Sequence, residues 1–74
     1  MKRIPLLASV ALAIDLPELQ LTRGQLGTVV EYLLTGNEEA LLVEFSDQDG
    51  QAYAFAEARP EQLIVLHRRE TEAA

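Results

Sequence analysis

The strongest constraint on this chain is alternation. Apolar side chains recur at every second position, in short runs cut apart by turn-forming residues. In Ala40-Leu41-Leu42-Val43-Glu44-Phe45, the residues Leu41, Val43 and Phe45 fall on one side of an extended backbone, because successive strand side chains point to opposite faces. Val10, Leu12 and Ile14 do the same within residues 8–14. Residues 28–34 form a β-rich run that is apolar on both faces apart from Thr28 and Glu31. Tyr53 and Phe55 share one face of a fourth run while Ala52, Ala54 and Ala56 share the other, and Leu63-Ile64-Val65-Leu66 reads as a short closing strand.

The interruptions are equally informative. Asp15-Leu16-Pro17-Glu18 breaks the first run, since proline cannot donate to a central ladder. Gly24 and Gly27 predict a tight turn and a close backbone approach where the second strand begins. Thr35-Gly36-Asn37 supplies a turn. Asp47-Gln48-Asp49-Gly50 is a hairpin signal in which glycine takes the left-handed position. Arg59-Pro60-Glu61-Gln62 reads as one helical or 3-10 turn, with proline suited to its first position. Together these features predict an all-β fold: one small, strongly bent, five-stranded antiparallel barrel with a single short 3-10 or helical turn. One domain accounts for residues 1–74, with order expected over about residues 6–67 and an unpatterned, flexible tail at 68–74. A chain of 74 residues hides only roughly 60% of its unfolded surface. With no disulfide or metal to brace it, it gains from a partner's surface.

Two readings compete at the N-terminus. Met1-Lys2-Arg3 followed by apolar residues to Ile14, with Ala11-Leu12-Ala13 beyond, has the layout of a signal peptide. Pro5 and Ser9 interrupt the run, and removal of residues 1–13 would delete a strand from a chain with few to spare. The strand reading is therefore preferred, and it places the protein in the cytoplasm. The apolar span is too short to cross a membrane as a helix.

Composition narrows the chemistry. Cysteine is absent, which excludes disulfides, thiolate metal sites and cysteine nucleophiles. Twelve acidic residues against six basic ones give a formal charge of -6, opposite to what phosphate binding needs. Asp47-x-Asp49-Gly50 opens like a calcium loop, but Ala56 stands where the closing glutamate belongs. His67 is the sole histidine and lies beside Arg68 and Arg69 with no second ligand. The carboxylate pairs Asp15 with Glu18 and Glu38 with Glu39 fall in expected loops, where water screens them. Gly24 and Gly27 are followed by neither the lysine nor the helix of a phosphate-binding loop. No catalytic, metal or cofactor residue is expected, and no small-molecule substrate.

Leu33, Leu34, Leu41 and Leu42 flank the Thr35-Gly36-Asn37 turn, and strict alternation cannot place all four inside a small barrel. Either a bulge twists the strands, or one pair forms an exposed apolar patch. With Tyr32, these leucines are the candidate partner-binding residues. Tyr32, Tyr53 and Phe55 are expected to pack in the core and at its rim.

Val10-Ala11-Leu12, Asp15-Leu16-Pro17-Glu18, Gly24-Gln25-Leu26-Gly27-Thr28-Val29-Val30-Glu31, Val43-Glu44-Phe45, Asp47-Gln48-Asp49-Gly50 and Pro60-Glu61-Gln62-Leu63, in this order and spacing, resemble an uncharacterised family of small bacterial, often cyanobacterial, proteins. That family is known only as a domain of unknown function. The resemblance covers roughly residues 8–66 and implies an SH3-like barrel and a non-enzymatic module paired with a neighbouring small protein. The Gly-x-x-Gly-x-Val element is also similar to the start of KOW-type barrels, whose members include RNA-associated modules and accessory domains of redox or photosynthetic complexes. Fold kinship of that kind does not carry function. The expectation is a protein-interaction module that docks a partner protein or another copy of itself, as an antitoxin-like protein or accessory subunit would. A nucleic-acid-associated module is the alternative, which the few basic residues disfavour.

Overall fold

A computed structural model describes residues 3–47 and 49–66; His67 and the tail expected at 68–74 lie outside them. Five strands are present: β1 (Ser9–Leu12), β2 (Leu26–Thr35), β3 (Glu38–Ser46), β4 (Ala52–Ala58) and β5 (Leu63–Val65). All four strand pairings are antiparallel, and the single sheet has the order β4-β3-β2-β1-β5. A 3-10 turn at Pro60–Gln62 sits where the sequence predicts one, and a second at Pro17–Leu19 occupies the break after β1. Within the segment that mimics a signal peptide, residues 9–12 form a central strand that holds β2 on one side and β5 on the other.

The all-β, five-stranded antiparallel expectation holds, but the sheet is not closed into a barrel: β4 and β5 stand at its two edges. It is nevertheless strongly curled, as its connectivity requires. Arg59 and the 3-10 turn carry the chain from one edge strand directly to the other. Five residue steps reach at most about 18 Å when fully extended, and a 3-10 turn rises only about 2 Å per residue. The edges of a flat five-stranded sheet would lie roughly 19 Å apart. Accordingly one core gathers side chains from all five strands: Val10 and Leu12, Val29, Val43 and Phe45, Ala56 and Ala58, and Leu63. Leu16 and Leu21, joined by a backbone bridge, bring the β1–β2 loop into the same core.

Gly27 makes this curl possible. It pairs with Phe45 on β3 and Val10 on β1, and a Cβ there would lie 2.6 Å from Val43 Cγ1 and 3.0 Å from Phe45 Cδ1. The close approach expected of the Gly24–Gly27 element therefore falls at its second glycine. A few residues on, the β2–β3 register shifts between Val29 and Glu31, leaving Val30 as a bulge. Tyr32 consequently faces the core side, opposite Leu41. Its hydroxyl donates to the Ile4 carbonyl at 2.6 Å, the Arg3 guanidinium lies 4.1 Å from its ring centre, and Arg3 pairs with Glu39. These contacts fasten the segment before β1 to the β2–β3 hairpin.

The inward face of β4 is its alanine face. Ala54, Ala56 and Ala58 lie beside Phe45, Val43 and Leu41 of β3. Contrary to the expected core and rim packing, Tyr53 and Phe55 are exposed. The large side chains of β3 already fill the inside, so only methyl groups fit on the neighbouring strand where the sheet curls inward.

Candidate functional site

The outer face of β2, β1 and β5 carries the most coherent exposed feature of the fold. Ladder register sets Leu26, Ala11 and Ile64 in one row across the three strands. Leu66 follows β5, and its N–H donates to the Ser9 carbonyl at 2.9 Å, which places it beside the neighbouring row. Leu26, Ile64 and Leu66 are 60%, 51% and 42% exposed, while Ala11 between them is buried. The result is an aliphatic face on a small-residue floor, held by backbone ladders. An open groove of about 330 Å³ borders it at Leu26 and Leu66, with Ser9, Gly27, Thr28, Ser46 and Asp47 forming the rest of its lining.

The residues expected to bind a partner do not assemble into one patch. Leu41 is only 3% exposed and belongs to the core, so it is not a surface residue. Leu33 lies opposite Ala40 and Leu42 opposite Glu31; both leucines are half-buried, on the outer side of the sheet. Leu34 is 74% exposed but shares the parity of Tyr32, not that of Leu33. Of the two explanations left open for the leucines, the bulge is present, at Val30, and it distributes the four over both faces. The aliphatic face at Leu26, Ile64 and Leu66 escaped sequence reasoning, although Leu63–Leu66 is apolar at every position and so must be apolar on both sides of a strand.

The other constellations are structural. Asp47 Oδ1 accepts from the N–H groups of Asp49 (2.9 Å) and Gln51 (3.0 Å), and Gly50 has φ of 82°, as the hairpin reading requires. Asp15 accepts from the Arg23 N–H at 2.8 Å and pins the β1–β2 loop. Glu38 pairs with Arg59 at 2.9 Å, beside a polar groove of about 250 Å³ that Glu39, Glu57 and Gln62 also line. Gln62 accepts from the Arg59 N–H at 2.8 Å, closing the second 3-10 turn. Among the described residues, no group of three or more carboxylate, imidazole or thiol side chains gathers in metal-binding geometry. Likewise no helix among them is long and apolar enough to cross a membrane.

A curled five-stranded sheet with aliphatic side chains exposed on the outer side of β2, β1 and β5 defines a small all-β domain. Residues 6–65 match the profile of the domain of unknown function DUF4926, and the chain belongs to that family. No curated protein and no solved structure matches the chain.

Proposed function

We propose that this domain is a non-enzymatic docking module whose outer β2–β1–β5 face receives another protein. The observation that carries this reading is the exposure of Leu26, Ile64 and Leu66 together, Leu26 and Ile64 on strands laddered to β1 and Leu66 hydrogen-bonded to Ser9 just beyond β5. Contiguous exposed apolar side chains rimmed by polar groups are the ordinary mark of a protein contact surface. Two further features support it. No polar or charged side chain among the described residues is buried, so none sits in the desolvated setting that general acid–base chemistry uses. Arg3 and Arg59 are matched by Glu39 and Glu38, which favours a protein over a nucleic acid as the occupant. An antitoxin-like or accessory-subunit role in a bacterial cytoplasm fits this behaviour, with either a second protein or a second copy on the face.

Size-exclusion chromatography and pull-down test the reading. The parent chain is expected to elute as a complex or to capture one partner. Leu26→Asp is expected to abolish this, and Leu34→Asp to leave it unchanged. A chain that stays monomeric and captures nothing, or that loses its partner only through Leu34→Asp, would refute the proposed face.

A further inference from the structure

The two edges of the sheet are guarded differently. At one edge β5 is three residues long, too short to template a stable ladder. At the other edge β4 runs for seven residues, Ala52–Ala58, with no proline, no lysine and one charged residue, Glu57. Natural edge strands are blunted by length, proline, lysine or a cover, because their outward N–H and C=O groups invite pairing. Within the strand itself, β4 has none of these devices. Phe55 is 56% exposed on the outer side of this edge, a position from which an aromatic ring packs on a cross-strand neighbour.

Charge indicates what would pair there. The outer faces of β2, β3 and β4 carry Glu31, Glu44 and Glu57, with Glu44 directly opposite Phe55 and Leu42 lying between Glu31 and Glu57. The described arginines, at 3, 23 and 59, all lie outside the strands. A second copy would bring the same carboxylates and a further formal charge of -6. A cationic strand is matched instead. We infer that the β4 edge accepts, as a sixth strand, an extended segment of another protein in which Lys or Arg alternates with apolar residues. The backbone ladder supplies the binding, while the cations lie on the outer side, over Phe55 and in the row of Glu44, and the apolar side chains turn to the inner side beside Ala54, Ala56 and Ala58. This surface is separate from the aliphatic face of β2, β1 and β5.

Synthetic eight-residue peptides test it, measured by fluorescence anisotropy at low salt: one alternating Lys and Val, and one with the same residues in two blocks. The alternating peptide is expected to bind at least ten-fold more tightly. N-methylation of its backbone at residues of one parity is expected to weaken binding ten-fold or more, and methylation at the other parity to leave it intact, because only one edge of an added strand pairs. Phe55→Lys is expected to weaken binding ten-fold without moving the thermal midpoint, and Leu26→Asp to have no effect. Equal binding of both peptides, or equal tolerance of both methylation patterns, would overturn strand addition. Concentration-dependent dimerisation of the parent chain that Phe55→Lys abolishes would assign the edge to a second copy and also overturn the inference.

Discussion

Leu26 and Gly27 are neighbours in sequence and opposites in the fold. Gly27 faces inward among Val10, Val43 and Phe45, where not even a Cβ fits, while Leu26 extends outward beside Ala11 and is largely exposed. The same division holds on β1, where Val10 and Leu12 are fully buried, and on β5, where Leu63 is buried and Ile64 is not. One face is therefore packed to its limit, while on β2, β1 and β5 the other also carries aliphatic side chains and is left open. Residue type does not separate them; register does. A core tolerates little change of volume, whereas an exposed aliphatic side chain contributes little to folding. The docking proposed for this face would cover it.

Substitutions that trade one face against the other break or sharpen this contrast. Phe45→Ala removes the largest fully buried side chain and is expected to cost about 3–5 kcal/mol. That is comparable to the roughly 3–5 kcal/mol that a core of this size supplies, so cooperative unfolding should be lost in urea titrations followed by circular dichroism. A variant that still unfolds cooperatively at the parental midpoint would remove Phe45 from the centre of the core. Gly27→Ala, on the same inner face, is expected to cost about 1–3 kcal/mol through overpacking, read as a lower urea midpoint at unchanged slope. Tyr32→Phe deletes the hydroxyl that holds the Ile4 carbonyl. The expected loss is about 0.5–1.5 kcal/mol, together with faster proteolysis ahead of β1; unchanged proteolysis would mean that this bond does not fasten the segment. Leu26→Ser, on the outer face, should change stability by no more than about 0.5 kcal/mol. A loss as large as that of Gly27→Ala would place Leu26 in the folding core and void the contrast.

Much of the fold is legible in the sequence because its signals are local. Alternation marks β1, β3 and β4, unbroken apolar or β-rich runs mark β2 and β5, and Asp47 with Gly50, and Pro60 with Gln62, mark turns whose hydrogen bonds are those the residue types favour. What is not legible depends on the strand next door. The bulge at Val30 turns Tyr32 inward and sends Leu33 outward, a half-turn that no pattern within residues 28–34 reveals. On β4 the alternation is plain, but its polarity is set by Val43 and Phe45, which leave room only for alanine methyl groups beside them. Hydrophobicity alone would turn the aromatics inward. Curl without closure has the same origin: the step from Ala58 to Leu63 requires bending, yet nothing in either edge strand dictates a ladder between them. The aliphatic face is hidden for a related reason, since its rows join Leu26, Ala11 and Ile64, which only the register brings together.

The proposed docking role requires the outer face of β2, β1 and β5 to be occupied by another protein. A photo-crosslinking amino acid installed in place of Leu26, with Glu18 on the exposed first 3-10 turn as the control position, tests this in cells of the organism that encodes the chain. One discrete protein adduct is expected from position 26, absent from position 18 and abolished by Ile64→Asp. No adduct, a nucleic-acid adduct, or the same diffuse products from both positions would contradict it.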